Sequence, residues 1–321
     1  MNVAIVVKKA GEFQAIDSFE FLEVEAIKCE FNLFSNINEA DYCVCWKQPP
    51  TTVNNSKIIL FQTEPPIASN IKKTYNAFSK YAHVFCYQPK GINQSSITKD
   101  PLCYLYNPAS NLQITRENTS MTGNGFYFAG KRKGKGGYFA RIWRNRFPWQ
   151  NIDQYNNRVI YSLRSEIALK MKGINPNSLI LGKGFDQNTK SSNWRKNKYE
   201  DIELGQNDFM FCCENSIFEN YISEKIHDGF NSDRVTCYLG EPNIEQYVPS
   251  DAYIDMREYI SEKGFEKDKF DTFISSLDQH QYDAYLKAAR KFRQKLKPRF
   301  LAEKKRITKD LMNVLKKSNE T

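Results

Sequence analysis

FMFCCENSIFENYISEKIHDGFNSDRVTCYL, residues 209–239, places two short apolar runs on either side of a segment with helical character. The runs 209–213 and 235–239 are rich in aromatic and other apolar residues, which favours two buried strands. Between them, Ser223 stands at a position typical of a helix N-cap and predicts a helix over 224–230. A strand, a helix and a second strand in this order predict a parallel pair, and therefore an α/β domain.

The same alternation extends outward from this segment in both directions. In the first third of the chain, short β-branched or aromatic runs predict strands at 3–7, 27–34, 42–46, 58–61, 84–87 and 103–106. The polar segments between these runs, such as 69–81, suit helices. After the Asn-, Ser- and Thr-rich stretch 107–124, strands are predicted at 126–129 and 179–181, and helices at 138–146 and 159–172. The pattern predicts two α/β domains in tandem, at residues 1–115 and 116–275, followed by a helical tail at 276–321.

Charge is concentrated in that tail. Residues 287–317 hold thirteen Lys and Arg against Glu303 and Asp310, which leaves the rest of the chain almost neutral. A nearly neutral body argues against a nucleic-acid-binding fold, because the positive face of such a fold normally belongs to the domain itself. We therefore expect no nucleic-acid partner.

Length and composition indicate a globular protein that does not cross a membrane. No apolar stretch approaches the ~18 residues that a membrane span requires. The apolar residues 1–7 are followed at once by Lys8 and Lys9, which indicates a first buried strand rather than a secretory leader and predicts a cytoplasmic location. Eight cysteines without a C-x-x-C pair, and only three histidines, argue against a disulfide framework and a zinc site. We expect the cysteines to be buried thiols.

Polar side chains follow the first strand of the opening segment. In an open parallel sheet, ligands bind beyond the carboxyl ends of the strands, where helix N-termini present free amides. Asn215 follows the strand, Tyr221 lies in the loop, and Glu224 and Lys225 occupy the first helical turn. The helix dipole disfavours a cation at that position unless an anion is nearby, so Lys225 predicts a bound phosphate and Glu224 a ribose contact. Taken singly, each residue also has a structural interpretation, as a turn residue, a core aromatic or a solvated ion pair.

A similar arrangement follows the second strand. Gly240 predicts a tight turn, and Pro242 predicts the start of a short helix. The free amides of that helix would face the same crevice.

Residues 209–259 resemble the signature region of the family-10 glycosyltransferases, the α-1,3/1,4-fucosyltransferases. The family pattern runs roughly F-x-x-x-x-E-N-S, G-Y-[IV]-T-E-K-I, P-I-Y-x-G-x-P-N-I and F-I-[DN], and the chain has FMFCCENS, NYISEKI, TCYLGEPNI and YID in that order. Asn220 replaces the usual Gly, Ser223 replaces Thr, and residues 236–238 replace Pro-Ile-Tyr. Only the first of these departures is expected to alter the loop.

The resemblance implies a GT-B fold, with two Rossmann-like domains facing each other across a cleft. GDP-β-L-fucose is then held mainly by the C-terminal domain. Asn215, Tyr221, Glu224 and Lys225 correspond to the donor-binding set of the family, with Glu224 on the ribose and Lys225 on the diphosphate.

Two arginines are candidates for a further diphosphate contact. FAGKRKGKGGYFARIW is similar to the strand, basic loop and Tyr-x-x-Arg of many family members, which indicates Arg141. Arg164, in YSLRSEIALKMKG, is the alternative. An arginine fork suits this role because it can engage two phosphate oxygens at once.

A candidate catalytic carboxylate lies in the N-terminal domain. KIILFQTEPP resembles the family's strand that ends in an acidic turn, and Glu64 then takes the place of the catalytic base. The competing interpretation is an acid that simply ends a strand before Pro65 and Pro66. The implied reaction is an inverting displacement, in which Glu64 takes the acceptor proton and the cations stabilise the leaving GDP.

The expected partners are a GDP-sugar donor and an acceptor oligosaccharide or glycolipid, with transfer to O3 or O4 of a GlcNAc- or Glc-type sugar. The sequence has no Asp-x-Asp suited to a metal, so we expect neither a metal nor a cofactor. Two alternatives stay open: a related transferase with another nucleotide sugar, and a non-enzymatic basic protein that binds membranes or nucleic acid.

The tail carries an apolar stripe on its basic helix, formed by Phe300, Ile307, Leu311 and Val314. The stripe could pack on the body, lie on an anionic membrane or pair with another chain. Because lipid-linked glycans are plausible acceptors, we expect its distal part to contact the inner face of a membrane peripherally.

Overall fold

A computed structural model of the chain describes residues 1–9, 12–15, 22–46, 49–62, 78–86, 93–97, 99–102, 116, 120–123, 125–129, 158–181, 185, 207–261 and 263–320. Unit 1 comprises Met1–Tyr106 and Leu296–Thr321, and unit 2 comprises Asn107–Lys295. The predicted tail 276–321 is divided between the units, because Leu296–Thr321 belong to unit 1.

The described residues form sixteen strands and six α-helices. The strands are β1 (Asn2–Lys9), β2 (Glu12–Ala15), β3 (Asn32–Leu33), β4 (Tyr42–Trp46), β5 (Ile58–Phe61), β6 (His83–Cys86), β7 (Gln94–Ser96), β8 (Phe126–Ala129), β9 (Arg158–Val159), β10 (Leu179–Leu181), β11 (Phe209–Cys213), β12 (Ser216–Ile217), β13 (Val235–Leu239), β14 (Tyr253–Asp255), β15 (Ile260–Ser261) and β16 (Gly264–Phe265). The helices are α1 (Val24–Glu30), α2 (Tyr161–Ile174), α3 (Glu224–Asn231), α4 (Lys267–Ser276), α5 (Gln279–Arg293) and α6 (Leu296–Glu320). Short 3₁₀ turns occur at Asn55–Lys57, Phe78–Lys80, Ile244–Gln246, Ser250–Ala252 and Met256–Tyr259.

Unit 1 is built on a parallel sheet. Its described strands lie in the order β2-β1-β4-β5-β6-β7, with β3 also paired to β1. All pairs are parallel except β1 with β2, which are antiparallel neighbours. Every residue of β5 is buried, which is typical of a strand covered on both faces.

One predicted strand of unit 1 is mostly helix. Residues 27–34 were predicted as a strand, whereas the chain there ends α1 and then forms the two-residue strand β3. Val24, Ile27 and Phe31 are buried at helical spacing, and the intervening Glu25 and Lys28 are exposed. The spacing of the buried apolar residues by three to four positions therefore favours a helix, although the composition of residues 27–34 predicted a strand.

Unit 2 is built on a second parallel sheet, with its described strands in the order β10-β8-β11-β13-β14. All four pairs are parallel. Phe126 and Phe209 pack in its core as a tilted ring pair at a centroid distance of 5.1 Å, and the ring of Phe270 in α4 lies 5.6 Å from that of Phe126. The predicted α/β class with two parallel sheets is thus confirmed. The predicted strand at 103–106 and the helix at 138–146 lie outside the described residues, as does most of the helix at 69–81.

The C-terminal helix α6 packs on unit 1 through its apolar stripe. Phe300, Ile307, Leu311 and Leu315 are buried, and Val314 is partly exposed. The stripe is therefore covered by protein, which corrects the expectation that it lies on a membrane. The membrane prediction failed because the stripe packs on an apolar surface of unit 1, and the sequence of the helix alone does not reveal that surface.

Polar contacts fix α6 along the same face. The amide of Glu23 donates to Thr308 Oγ1 at 2.8 Å, and the amide of Lys99 donates to Glu303 Oε1 at 2.9 Å. Arg299 forms a two-bond fork with Asp100, at 2.7 and 2.8 Å. Arg306 and Lys316 also contact unit 1, at the carbonyl of Ile97 and at Glu30, so several basic residues of the predicted tail are used in contacts within unit 1.

The stripe predicts a stability effect. Replacement of Leu311, which is fully buried, by alanine should lower the free energy of unfolding by about 2–5 kcal/mol. The same truncation at the partly exposed Val314 should cost less than about 1 kcal/mol. Urea unfolding of both variants measures the difference, and equal midpoints would contradict the packing of α6 on unit 1.

The cysteines agree in part with the prediction of buried thiols. Cys43, Cys45, Cys86, Cys212, Cys213 and Cys237 are buried thiols outside any disulfide, whereas Cys29 is exposed on α1. In the part of the chain that the structure describes, no helix is both long enough and apolar enough to span a membrane.

Candidate functional site

The polar residues of unit 2 gather where β11 and β13 end. Cys213 pairs with Leu239 in register, so Glu214 and Gly240 leave the sheet side by side. The amide of Glu214 donates to the carbonyl of Leu239 at 2.8 Å and joins the two strand ends. The chain runs from β8 to its neighbour β10 on one side and then to β11 on the other. The carboxyl ends of β8 and β11 therefore form a topological switch point, where ligands bind in open α/β sheets.

A small antiparallel pair brings α2 to this edge. β9 pairs with β12, with Val159 opposite Ser216, and the amide of Ile160 donates to the carbonyl of Asn215 at 3.0 Å. Helix α2 starts at the next residue, so Arg164 in its first turn reaches back to the strand end. Arg164 Nη1 donates to Asn215 Oδ1 at 2.6 Å and to the carbonyl of Cys213 at 3.4 Å.

Ser223 caps helix α3, as the sequence predicts. Its backbone is extended, and its hydroxyl accepts from the amide of Lys225 at 3.4 Å. The same hydroxyl donates to Glu214 Oε2 at 2.5 Å, and the Ser223 amide donates to Glu214 Oε1 at 2.7 Å. Glu214 is fully buried. The N-cap of α3 is thus fixed to the end of β11 through one carboxylate.

Lys225 lies between two carboxylates. Its Nζ is 3.3 Å from Glu214 Oε2 and 3.3 Å from Glu224 Oε1, and it donates to Ser223 Oγ at 2.8 Å. Burial opposes the charge on Lys225, but Glu214 and Glu224 outweigh that cost and raise its pKa above the ordinary value. Burial also raises the pKa of Glu214, against the lowering effects of Lys225 and the Ser223 hydrogen bonds. The sequence argument held that a cation in this turn needs a bound phosphate, whereas Glu214 is an anion that the chain itself supplies.

The ammonium group still belongs to an accessible cluster. The side chain of Lys225 is 18% exposed, and that of Glu224 is 51% exposed. Arg164 is close enough to oppose the protonation of Lys225, so two cations share the edge. The structure therefore brings Arg164, Asn215, Glu224 and Lys225 together.

Tyr221 is placed differently from the other predicted residues. Its side chain is 2% exposed, so the ring is enclosed by protein atoms rather than presented for stacking. Its amide donates to the carbonyl of Phe218 at 3.1 Å and closes a four-residue turn. Asn220, the third residue of that turn, has φ of +63°, a conformation suited to Gly and tolerated by Asn. Asn220 therefore fits this turn without the Gly of the family pattern.

The turn after β13 approaches Glu214 closely. A Cβ at Gly240 would lie 2.4 Å from Glu214 Cγ, so only glycine fits there. The short helix predicted near Pro242 is a 3₁₀ turn that begins two residues later, at Ile244. Glu241 is fully buried within this turn.

Two carboxylates of this region received no role from the sequence, Glu214 and Glu241. Glu214 directly follows an apolar strand, and Glu241 follows the next strand after one glycine. An acid at the carboxyl end of each of two adjacent parallel strands was the available signal. Glu64 and Arg141 lie outside the described residues, so their roles stay predictions. Within the described residues, no group of three or more His, Cys, Asp or Glu could hold a metal ion.

Comparison with known proteins bears on the same region. A model of glycosyltransferase family 10 (fucosyltransferase), C-terminal part, matches residues 153–320, which is just over half of the chain. The chain belongs to this family. The resemblance of residues 209–259 to this family is thereby confirmed, and the cluster around Lys225 lies within the matched residues.

Individual family-10 relatives match over shorter stretches. The 4-galactosyl-N-acetylglucosaminide 3-alpha-L-fucosyltransferase 9 of Homo sapiens is 38% identical over 55 residues, or 16% of this chain and 15% of that protein. The enzymes of the same name from Pan troglodytes and Bos taurus match to the same extent. Similar solved structures include an alpha1,3-fucosyltransferase, at 14% identity and a TM-score of 0.48, covering 98% of this chain and 90% of that one. A second, with GDP-fucose, has 13% identity and a TM-score of 0.47, and covers 89% and 80% of the two chains.

Family membership overturns one prediction. The cytoplasmic location inferred from the N-terminus is wrong, because it conflicts with the chain's membership of family 10. The inference failed because it rested on the first few residues alone.

Proposed function

We propose that the chain is a fucosyltransferase that moves L-fucose from GDP-β-L-fucose to a hydroxyl of an acceptor glycan. The observation that carries the proposal is the cluster of Arg164, Asn215, Glu224 and Lys225 at the switch point of the unit 2 sheet. Membership of family 10 supports the donor class. Of the acceptor positions expected from the sequence, O3 or O4 of a GlcNAc- or Glc-type sugar, the relatives' name, a 3-alpha-L-fucosyltransferase acting on an N-acetylglucosaminide, supports O3 of GlcNAc.

The proposed donor contacts follow from the charges of the cluster. Lys225, whose side chain is 18% exposed and whose ammonium group is held in position by Glu214 and Ser223, is assigned to the diphosphate. Glu224 presents a half-exposed carboxylate in the first turn of α3, which suits contact with the two hydroxyls of a ribose. Asn215 supplies an amide beside them. Tyr221 acts by shaping the turn, because its ring is buried.

Arg164 is the better supported of the two arginine candidates. It lies 2.6 Å from Asn215 Oδ1 and shares the edge with Lys225. Its planar guanidinium suits the oxygens of a diphosphate. Arg141 follows β8, the other strand of the switch point, and stays the alternative.

The proposed chemistry is a direct displacement. Glu64 removes the proton of the acceptor hydroxyl while that oxygen attacks the anomeric carbon of fucose, and GDP leaves from the opposite face. The configuration inverts from β to α. Negative charge grows on the departing diphosphate, where Lys225 and Arg164 stabilise it.

Fixed cations make a metal ion unnecessary in this scheme. We expect full transfer activity in EDTA, because Lys225 and Arg164 supply the positive charge that a divalent ion supplies elsewhere. An assay of donor consumption before and after chelation tests this, and a strict requirement for Mn²⁺ or Mg²⁺ would contradict it.

The decisive experiment is a donor screen. Nucleotide release is measured from GDP-fucose, GDP-mannose and UDP-galactose with a small panel of galactose- and N-acetylglucosamine-containing acceptors. We expect release from GDP-fucose alone, and a larger thermal shift with GDP than with UDP. Release from another sugar nucleotide would support the alternative of a related transferase. Release from none, with no thermal shift, would refute the proposal.

A further inference from the structure

Glu241 is a buried carboxylate at a position that the family pattern leaves variable. The pattern has any residue between the glycine and the proline of G-x-P-N-I, and this chain has Glu241 there. The residue is fully buried. Carboxylates are rarely buried without partners, because loss of hydration is costly.

The partners of Glu241 are backbone amides of two different loops. Oε1 accepts from the amide of Asn220 at 3.2 Å, and Oε2 accepts from the amide of Asn243. Asn220 lies in the turn that leads to Ser223, and Asn243 lies in the turn after β13. The Asn220 side chain adds a second link, because its Oδ1 accepts from the Tyr247 hydroxyl at 2.7 Å.

These links act on the segment that carries Glu224 and Lys225. Asn220 has a left-handed backbone, which is populated less readily by Asn than by Gly. An amide fixed to a carboxylate on a neighbouring turn restricts this residue to that conformation. Residues 221–225 follow directly, so the direction of the chain at Asn220 determines, together with the Ser223–Glu214 hydrogen bonds, where the first turn of α3 starts.

We propose that Glu241 is a positioning residue for donor binding, whose carboxylate ties the Asn220 turn to the turn after β13 and so holds Glu224 and Lys225 in place. The inference rests on the proposed function, because it assigns Glu241 to the same donor site. It adds a residue that touches no part of the donor.

Several charged and titratable groups surround Glu241. Arg257 bonds to the carbonyl of Pro242 and to Glu245 Oε2, the latter at 2.9 Å, and Tyr238 accepts from the Glu241 amide at 3.2 Å. Tyr253 lies close enough for its pKa to respond to Glu241. Burial raises the pKa of Glu241 from 4.5 to about 6, against the lowering effects of the two amides and Arg257.

The raised pKa of Glu241 distinguishes a positioning role of this residue from a purely stabilising one. Between about pH 6 and 4.5 the folded protein holds a proton on Glu241 that the unfolded chain has lost. Acidification through this window therefore stabilises the fold at this group. It also weakens one amide bond, because a protonated carboxyl is a poorer acceptor at its hydroxyl oxygen. Positioning thus predicts that donor binding weakens on acidification although the fold does not lose stability, whereas a residue that only stabilises the fold predicts no loss of donor binding in this window.

The test uses Glu241→Gln in the full chain, with Glu245→Gln as the matched control. Glu245 lies in the adjacent turn and shares Arg257, but its half-exposed side chain bonds neither amide. GDP-fucose is the probe, because its diphosphate diester lacks the terminal phosphate group that titrates near pH 6. Affinity is measured by calorimetry from about pH 5 to pH 8, and amide hydrogen exchange at Asn220 and Asn243 is measured at neutral pH without ligand.

We expect wild type and Glu245→Gln to lose affinity about tenfold as the pH falls below 6. Glu241→Gln should bind about tenfold more weakly at neutral pH, with that pH dependence removed and with faster exchange at Asn220 or Asn243. Its melting temperature should stay within about 4 °C of wild type. Unchanged exchange and an unchanged pH profile would overturn the inference, as would a fall in stability that accounts for the lost affinity. If wild type binds no GDP-fucose at any pH, the proposed function fails, and the exchange rates still decide whether Glu241 ties the two turns.

Discussion

Replacement of Glu64 by glutamine is expected to lower kcat for fucose transfer by about 10²- to 10⁴-fold, the usual contribution of a general base. Glutamine keeps the shape of the side chain but cannot take up the proton of the attacking hydroxyl. The KM for GDP-fucose should change little, because the proposed donor contacts all lie in unit 2. Initial rates at saturating acceptor measure both constants.

The position of Glu64 in the chain supports this assignment. Glu64 comes three residues after β5, a central strand of the unit 1 sheet, and so follows its carboxyl end. Glu39 provides a matched control, because it is exposed and precedes β4 at the opposite edge of the same sheet. Glu39→Gln should transfer fucose at the wild-type rate.

The pH profile separates a base from a residue that only shapes the loop. Loss of a base removes the acidic limb of the kcat/KM profile, whereas a change in loop shape lowers the whole profile in parallel. A Glu64→Gln enzyme with wild-type kcat, or with a profile that is merely scaled down, would contradict the role of Glu64.

The strands were the most predictable part of the fold. The sequence predicts β4, β5, β8, β10, β11 and β13 with the bounds that the structure shows. Each of these is a short apolar run between polar segments, so local composition alone determines it. The stretch 27–34 was mispredicted because its apolar residues fit both periods, and only the packing of α1 selects the helical one.

The surface on which the basic tail packs could not be predicted from the sequence. An amphipathic helix with a lysine-rich outer face has the same pattern whether it binds a membrane or its own body. The choice depends on the surface of unit 1, to which residues some two hundred positions away contribute, as the Arg299–Asp100 pair illustrates. Long-range complementarity of this kind is not contained in the periodicity of the helix.

The local structure of the candidate site was predicted from the sequence, but the contacts between its residues were not. Ser223 as N-cap and Glu224 and Lys225 in the first turn follow from local rules, and the structure has all three. The partner of Lys225 did not follow, because Glu214 lies eleven residues away and meets it only through the β11–α3 connection. The prediction of a phosphate was therefore based on an imbalance of charge that the fold itself already offsets.

Replacement of Lys225 by methionine should lower kcat/KM for GDP-fucose by about 10²- to 10³-fold, the typical cost of removing one group that stabilises transition-state charge. Methionine retains the length of the side chain and removes the charge. The matched control is Lys267→Met, because Lys267 is also in the first turn of a helix, α4, and also lies near carboxylates. That variant should keep wild-type kcat/KM.

The same substitution affects stability, because Glu214 loses its cation. A buried carboxylate left without its partner costs about 3 kcal/mol or more. Glu214 is fully buried, and its pKa is already raised by burial, so it should become protonated in Lys225→Met. A lower melting temperature alone would therefore not prove a role in catalysis.

The double variant Glu214→Gln/Lys225→Met separates the two roles of the lysine. Removing both charges leaves no uncompensated ion, so the unfolding free energy should recover most of the loss seen in Lys225→Met. If Lys225 binds the diphosphate, kcat/KM stays as low as in the single variant, because the leaving group still lacks its cation. If Lys225 serves only to neutralise Glu214, stability and activity recover together. Recovery of activity in the double variant would therefore remove Lys225 from the donor site and leave Arg164 as the cation that faces the diphosphate.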